Sequence, residues 1–517
     1  MNYSDTLYRD FEKLSSENVN LKERILGYQE QCHRLQQSLK GIEKTKEKMQ
    51  DSYDEQIAKK DAIIKELSNK LAHLEAVSAH NGTNTGISTA ATPINKKKII
   101  PNTRRGSSKN RGGQPGHSKH MLSSFEEDEI TEAEEHELDQ SEVCDLCGGN
   151  LTDSGEIVFK DEYDVEIRTV KRRHDYHLYY CSDCGAGVRL QIQSNLKEQN
   201  QYGSQTQALA LSLMNTGNVP INKVRTLLIG MTADCMHPSE GYIAKLQKRA
   251  ARGLEMFMSD LKILLIQRNV LYWDDTVIMI NTARACLRFY GDESISFFTA
   301  HEHKDIESLE DDNILPLLPS SATVMHDHNK VNYNAKFSFQ NIECNQHLQR
   351  DLQKNTDDTG HKWSDTLKKL IASTIHERKE AVAKNRKKFA PEYIENFKKK
   401  ANRILKKGKK EYNDESNSYS APFENALLVR MEVFQNNYFK WVEDFSLPTT
   451  DNLSERGLRC VKSHMKISGQ FESVKTAGYF AIIKTYIETC RKNGINEMNA
   501  LSRLCTGEPY TVEEIFQ

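Results

Sequence analysis

Residues 271–280 read Leu-Tyr-Trp-Asp-Asp-Thr-Val-Ile-Met-Ile, which sets two adjacent carboxylates inside a run of β-branched and aromatic residues. A run this apolar is typical of a central strand, because central strands are covered on both faces. An ionised carboxylate removed from water needs a paired charge or a bound cation. Asp274 and Asp275 therefore indicate an acidic site that shares a metal with further acids, or alternatively a turn cap at a strand end.

The bulk composition limits the class of protein. A chain of 517 residues is too long for one core and predicts several domains, three or more in number. Its formal net charge of −2 conceals strong local asymmetry. Eleven scattered cysteines with no signal peptide ahead of them favour the reducing cytoplasm over a disulfide framework. No apolar run approaches the roughly 20 residues that span a bilayer, so we expect no membrane partner.

Residues 1–77 are predicted to form a coiled coil. Between Leu7 and Tyr53, twelve of the fourteen core heptad positions are apolar or aromatic, and a repeat this sustained is typical of helices that supercoil. Asn18 occupies a core position, where a polar residue favours a two-stranded parallel assembly. We therefore expect a homodimer or a higher homo-oligomer, and the alternative is a long helix that folds back on its own chain.

Residues 78–142 are predicted to be a flexible basic arm followed by an acidic linker. Between Asn81 and Ser124 there is no acidic residue. Cations on a flexible backbone gain affinity for DNA through counterion release without reading its sequence. A solvated tail is the competing interpretation. The cations of the arm include Lys96, Lys97, Lys98, Arg104, Arg105 and Arg111.

Residues 143–190 carry two CxxC knuckles, each followed by glycine. Four thiolates in two such pairs suit tetrahedral zinc, and the glycine relieves the turn that aims backbone amides at sulfur. The long interval between the knuckles predicts a hairpin of Glu156–Phe159 with Tyr163–Val170. A redox CxxC is the competing interpretation. The predicted zinc ligands are Cys144, Cys147, Cys181 and Cys184.

Residues 191–268 read as a helical section. Two short helices and a longer one that bears Lys245, Lys248 and Arg249 are compatible with a helix-turn-helix reader of DNA. A three-helix connector without DNA contact would give the same pattern, so both interpretations stay open here.

Two later acids extend the search that Asp274 opened. Asp327 follows a predicted strand at 322–325, and the ends of strands are where α/β sheets gather their ligands. Asp451 is placed to cap a helix whose first turn carries Glu455. Two acids from strands and one from a helix make a cage of oxygen donors suited to hard divalent cations.

These motifs together resemble the DDE transposases, and more narrowly those of insertion sequences of the sixty-sixth type. The arm carries Arg-Gly-Gly-Gln-Pro-Gly-His at 111–117, and Asp274-Asp275-Thr276 matches the family's Asp-Glu-Thr strand motif. The most specific match is Asp-Asn-x-x-Glu-Arg-x-Leu-Arg at 451–459. Asp275 departs from the family's usual glutamate, which leaves the candidate ligands unchanged.

The resemblance implies a multidomain α+β protein with an RNase H-like catalytic core in two parts, residues 269–350 and 441–517, separated by a basic helical insertion at 351–440. In such a core, Asp274, Asp327 and Glu455 would hold two Mg²⁺ or Mn²⁺ ions, with Asp275 and His347 in supporting positions. It further implies a bacterial, nucleoid-associated enzyme that acts with small accessory proteins of the same element.

The predicted function is DNA transposition: the protein binds the inverted-repeat ends of its element, cuts the strands and joins them to target DNA. The alternatives are a catalytically idle DNA-binding regulator derived from such an enzyme, and a scaffold built on the coiled coil. Retention of all three acids favours the enzyme. In the core and the insertion, the residues expected to contact DNA are Lys398, Lys399, Lys400, Arg456, Arg459 and Lys462, with surface salt bridges or a solvated helix face as the alternative.

Overall fold

The computed structural model describes residues 13, 15–27, 56–71, 74, 122–139, 141–414 and 419–517. Residues 15–27 and 56–71 are helical, as the heptads predict, and apolar heptad residues such as Leu21 and Leu67 are more than half exposed. The coiled coil itself remains a prediction. The basic arm, Lys96 to Arg111 included, lies outside the described residues.

A mixed five-stranded sheet forms the centre of the fold, in the order β5-β4-β3-β6-β7. The strand β4 runs antiparallel to both of its neighbours, β3 and β5, while β6 runs parallel to β3 and β7 runs parallel to β6. This mixed sheet is compatible with the core that the resemblance implies. The strands are β3 (Val270–Ile280), β4 (Ala283–Gly291), β5 (Ser296–His301), β6 (Thr323–His326) and β7 (Gln340–Glu343).

Helices cover both faces of this sheet. The four that precede it are α1 (Ser204–Asn215), α2 (Ile221–Met231), α3 (Glu240–Arg252) and α4 (Glu255–Ile266). A short helix, α5 (Ile306–Asp312), follows β5. After β7 come α6 (Asn345–Thr359), α7 (Lys362–Ala383), α8 (Pro391–Asp414), α9 (Ala421–Val433) and α10 (Gln435–Phe439), and the chain closes with α11 (Asn452–Ile467), α12 (Val474–Lys492), α13 (Glu497–Thr506) and α14 (Val512–Phe516).

Alternation along β3 and β4 sends their side chains to opposite faces. Leu271, Trp273 and Tyr290 join a core with α1 to α4 and α12 to α14. Ile278 and Phe289 face the other way and pack against α11 and α12. The helical section that precedes the sheet therefore shares a core with it.

The basic insertion folds as a helical layer next to the sheet. Its apolar residues join Met325 of β6 and Ile342 of β7 in one core. Gly408 of α8 lies against Trp363 of α7, where an added Cβ would come within 2.8 Å of the indole ring. The opposite face of α8 remains in solvent.

Two expectations about secondary structure need correction. The long third helix divides into α3 and α4 at Gly253 and Leu254, where the chain turns past Leu504 of α13. The expected hairpin between the knuckles is absent from the described residues 151–177. Instead, the strands β1 (Leu178–Tyr180) and β2 (Gly187–Arg189) pair on either side of the second knuckle.

In the described parts of the chain, no helix is both long enough and apolar enough to cross a membrane.

Candidate active site

Asp274 and Asp275 face opposite sides of the sheet. Asp274 lies across from Phe289 of β4 and Asp275 from Arg288, and residues paired in this way share a face. Asp275 is engaged on its own side, where Lys304 Nζ donates to its carboxylate at 2.6 Å. Asp274 is left on the side of Phe289, which is the side that α11 covers.

The start of α11 approaches Asp274 because of a glycine. A Cβ atom on Gly457 would lie 2.7 Å from the ring of Phe289, closer than any real contact allows. The glycine therefore lets the helix backbone rest on the ring, next to the strand that carries Asp274. Asp451 and Glu455 lie at the N-terminal end of the same helix, and the negative charge of Asp274 acts on Asp451.

Asp327 reaches the site from the neighbouring strand. Tyr272 of β3 pairs in register with Met325 of β6. Asp274 lies two residues further along β3, and Asp327 lies two residues after Met325, directly beyond the end of β6 at His326. Buried His326 donates through Nδ1 to the carbonyl oxygen of Asp327 at 2.5 Å. This bond fixes the backbone at the position that carries the carboxylate.

A buried glutamate holds the loop after Asp327. Glu343 of β7 is fully buried and accepts hydrogen bonds from His328 Nδ1 at 2.7 Å and from the hydroxyl of Tyr333. Burial disfavours the charged form of Glu343, but these bonds outweigh it and lower the pKa of its carboxyl. The loop that begins at Asp327 is thus tied to β7 at two later positions, His328 and Tyr333.

The acids raise one another's pKa values. Burial, followed by the negative charges of Asp327 and Asp275, raises the pKa of Asp274 to about 8. Burial and the charges of Asp274, Asp327 and Glu455 raise the pKa of Asp451 well above its usual range. A site with this much mutual repulsion favours protons or a cation.

Asp451 differs from its expected role. It occupies the N-cap position of α11, but its side chain makes no capping hydrogen bond. It is fully buried, and neither carboxylate oxygen has a hydrogen-bond partner among the described residues. The local sequence rule that placed Asp451 at a cap gave no signal that its side chain would turn toward the acids of the sheet.

The donor chemistry fits a hard divalent cation, since carboxylate oxygens are the ligands that magnesium and manganese prefer. Both oxygens of Asp451 and Oε1 of Glu455 lack hydrogen-bond partners in the described part of the chain. Around Glu455 Oε1, the His347 ring nitrogen Nε2 lies at 3.7 Å and the guanidinium of Arg350 at 3.9 Å, both beyond hydrogen-bond distance. Even so, within the described ranges no three His, Cys, Asp or Glu side chains are grouped closely enough to hold a metal ion as they stand.

Three further cations line the outer side of α11. Arg456, Arg459 and Lys462 are exposed, and the positive charge of Lys462 acts on Asp274, where it opposes the rise in the pKa of that carboxyl. The spacing from Glu455 to Arg459 and Lys462 places these three side chains on one helical stripe.

The two CxxC knuckles are formed but stand apart. The amides of Leu146 and Cys147 bond to the Cys144 sulfur and lower its pKa, and those of Cys184 and Asp183 do the same for Cys181. A glycine with positive φ, +72° at Gly148 and +70° at Gly185, follows each knuckle. The four cysteines, Cys147 and Cys184 included, are free thiols, and they do not converge into one group in the described structure.

The other expected DNA contacts divide into free and engaged side chains. In α3, Lys245 is exposed and Lys248 partly so, while Arg249 donates to Gln207 at 3.2 Å and lies over the ring of Tyr242. In α8, Lys398 pairs with Glu443 and Lys399 with Glu395. Lys400 has no ion pair among the described residues. The Lys398–Glu443 pair gave no signal in the sequence, because Glu443 comes from outside the helix, whereas Glu395 and Lys399 are four residues apart within it.

One family of known proteins matches the part of the chain that contains the mixed sheet. The model of the Transposase IS66 family matches residues 199–478, just over half of the chain, from the start of the helical section to the first turns of α12. Among curated proteins, none matches this chain. The family match spans the mixed sheet, the basic insertion and the stretch that carries Asp451 and Glu455, and the chain belongs to the Transposase IS66 family.

Proposed function

We propose that this chain is a metal-dependent transposase that binds the inverted-repeat ends of its element and cuts and joins DNA strands. Asp274, Asp327 and Glu455 are its catalytic carboxylates. The observation that supports the proposal is that the negative charges of Asp274, Asp327 and Glu455 act on buried Asp451, while both oxygens of Asp451 and Oε1 of Glu455 have no hydrogen-bond partner within the described residues by distance and angle. Stability alone gives no reason to gather negative charge there.

The residues divide the work by position. Bound Mg²⁺ or Mn²⁺ would supply the activation of a nucleophilic oxygen and the neutralisation of the leaving oxygen in phosphoryl transfer. His326 and Glu343 fix the backbone around Asp327 so that its carboxylate is placed before DNA arrives. The Lys304–Asp275 pair fixes the opposite face of the same strand.

Cations around this edge would hold the DNA. Arg456, Arg459 and Lys462 stand beside Glu455 on exposed positions of α11, where they can contact phosphates of the end or of the target strand. The exposed face of α8 carries further cations, and we expect the arm that contains Lys96 and Arg104, which lies outside the described residues, to bind DNA as well. Such contacts position DNA without reading its sequence.

The knuckles and the heptads complete the proposal. Sulfurs that already receive backbone amide hydrogen bonds suit zinc, which binds thiolate. Zinc would then draw the two knuckles together into one small domain. The exposed heptad residues of 15–27 and 56–71 would be buried in a dimer.

Strand cleavage and strand transfer test the assignment. The substrate is DNA from the ends of the element, with Mg²⁺ or Mn²⁺ and a target plasmid. We expect both steps to be abolished in Asp274→Asn, Asp327→Asn and Glu455→Gln, and to persist in Asp311→Asn, an exposed acid outside the site. Full cleavage and transfer by any of the three site variants would refute its role.

The same experiment separates the enzyme from a regulator. If the chain were a regulator without catalysis, the wild-type protein would bind end DNA but would not cut it at any concentration of Mg²⁺ or Mn²⁺. The unpartnered acids of the site favour the enzyme, since a protein that only binds polyanionic DNA gains nothing from a buried negative cluster.

A further inference from the structure

A cavity of about 930 Å³ lies between the segment 194–202, the helix α3 and the C-terminal end of α13. Its volume falls within the range of roughly 300–1,000 Å³ that is usual for sites that bind small molecules. The described residues that line it include none of the proposed catalytic carboxylates. The three-carboxylate scheme therefore leaves this cavity without a function.

Two tyrosine rings and a guanidinium group form one wall of the cavity. The ring centroids of Tyr202 and Tyr242 are 5.1 Å apart, and the guanidinium carbon of Arg249 lies 5.8 Å from the centroid of the Tyr242 ring. All three residues line the cavity. Unpaired nucleic-acid bases stack on aromatic rings and on arginine guanidinium planes. This wall therefore suits a flat, aromatic ligand.

The buried amide of Gln207 holds two members of this wall in place. Its Nε2 donates to the carbonyl oxygen of Tyr202 at 2.6 Å, and its Oε1 accepts from Nη2 of Arg249 at 3.2 Å. Arg249 forms no ion pair with an acid among the described residues, so its charge is not neutralised. A guanidinium that is held before a ligand arrives loses less freedom when the ligand binds.

The cavity also carries an excess of positive charge. Lys197 and Arg252 are exposed residues that line it together with Arg249, and Glu198 is the one acid among its described lining residues. Gln201 orders this part of the lining, because its Oε1 accepts from the amides of Lys197 and Glu198 at 2.9 and 3.3 Å. Three cations against one carboxylate favour an anionic ligand. A nucleotide combines such an anion, its phosphate, with a flat base.

We propose that this cavity binds an unpaired nucleotide of the DNA that the protein processes. The base would stack on the wall of Tyr202, Tyr242 and Arg249, and the phosphate would lie beside Lys197 and Arg252. This inference rests on the proposed transposase function, which brings DNA strands to the chain. A base that leaves the duplex loses its stacking partners, and an aromatic wall replaces them without regard to sequence.

Binding of two DNA probes by the full chain tests the proposal, with chelator present so that no strand is cut. Both probes are the same duplex with a short single-stranded extension, and in one of them the nucleotides of the extension lack bases. Phosphate contacts are equal in the two probes, so a difference in affinity reports the bases. We expect wild type to bind the base-bearing probe about fivefold or more tighter, the least that one stacked base contributes.

Variants on two different elements locate this preference. Tyr242→Leu in α3 and Tyr202→Leu ahead of α1 should each abolish it, whereas Tyr242→Phe keeps the ring and should keep the preference. Arg249→Gln should reduce it. Lys223→Gln is the matched control, because it removes an exposed cation of α2 that does not line the cavity. Thermal unfolding shows which variants fold, and either leucine variant alone is sufficient for the test.

An unchanged preference in a folded leucine variant would place the unpaired base elsewhere and overturn the inference. Loss of the preference when free dAMP is added at the concentration of the DNA would assign the cavity to a free nucleotide, which also overturns it. If wild type shows no preference but still cuts end DNA with Mn²⁺, the cavity assignment fails and the proposed function stands. A wild-type chain that neither binds nor cuts end DNA overturns both.

Discussion

Gly457 of α11 rests on the ring of Phe289, in a space where a Cβ atom would come within 2.7 Å of Cδ2. Phe289 is the cross-strand neighbour of Asp274, so this contact sets the distance between the helix that carries Glu455 and the strand that carries Asp274. The glycine of the Asp-Asn-x-x-Glu-Arg-Gly-Leu-Arg motif thus has a structural reason that is separate from chemistry.

Gly457→Ala should therefore displace α11 from the sheet. Overpacking of this kind costs about 1–3 kcal/mol, and the displaced helix would carry Glu455 away from Asp274, so strand cleavage should fall further than stability does. Urea denaturation and the cleavage assay measure the two effects. Gly478→Ala is the matched control, because a Cβ there meets nothing within 4 Å, and a helical Gly→Ala change in open space should stabilise the protein by about 0.5–1 kcal/mol.

Asp274 predicts a stability that falls with rising pH in the metal-free protein. The pKa of Asp274 is about 8 in the folded chain, against 3.8 for the free side chain, so the folded state binds more protons between these values. Stability contributed by this group is thus complete below pH 4 and is lost as the pH rises toward 8. Unfolding temperatures across this range, measured with chelator, should show a shallower decline in Asp274→Asn than in wild type. Parallel profiles for the two proteins would contradict the raised pKa.

For Glu343 we expect the opposite dependence of stability on pH. Its folded pKa is lowered from 4.5 by the bonds from His328 and Tyr333, so its contribution is present above the unfolded value and lost as the pH falls through the folded one. Glu343→Gln should lower the free energy of unfolding by about 1–3 kcal/mol at neutral pH. The substitution breaks a charge-assisted hydrogen bond and leaves the buried partners of Glu343 without their charged acceptor. Urea denaturation at pH 7 and pH 4 should therefore show a larger difference from wild type at pH 7.

The local pattern of apolar residues in the sequence was sufficient to predict the main strands of the core. The apolar runs predicted strands at 271–280 and 322–325, and the observed β3 and β6 are Val270–Ile280 and Thr323–His326. The run at 340–343 gave no such signal, because only Ile342 among its four residues is apolar, and β7 was missed. A short strand of polar residues is recognisable only through its neighbours.

The candidate site also contains features that the sequence could predict and features that it could not. Side chains of neighbouring strand residues point to opposite faces, and the register with β4 agrees with this for Asp274 and Asp275. The inward turn of Asp451 could not be predicted, since an Asp before a helix is most often a cap. Nor could the partners of Asp275 and Glu343, because Lys304 and His328 reach them from distant positions through the tertiary fold.

The knuckles give a prediction that is independent of catalysis. The purified chain should contain one equivalent of zinc, and Cys144→Ser or Cys181→Ser should lose it, because each of these sulfurs receives two backbone amide bonds suited to a thiolate. Metal analysis after dialysis measures the content. Cys235→Ser, which replaces an exposed cysteine far from the knuckles in sequence, should retain it. Zinc that survives loss of Cys144 and Cys181 would place the ion elsewhere.

The exposed face of α8 predicts how DNA affinity depends on salt. Lys400, Arg403 and Lys407 fall on one exposed stripe of the helix, beside the buried face where Gly408 meets Trp363. None of the three forms an ion pair among the described residues, whereas Lys398 and Lys409 of the same helix pair with Glu443 and Glu432. Unpaired cations are the ones available to displace counterions from DNA.

Two double variants with equal loss of charge separate these groups. Lys400→Gln with Arg403→Gln should weaken binding of duplex DNA uniformly across sequences and reduce the slope of log K against log salt by roughly 1 per lost phosphate contact. Lys398→Gln with Lys409→Gln removes cations that acidic partners already neutralise, so its slope should stay near the wild-type value. Binding isotherms at several salt concentrations measure both slopes. Equal reductions in the two variants would mean that DNA responds to net charge alone, and an unchanged slope in the first would remove α8 from the DNA interface.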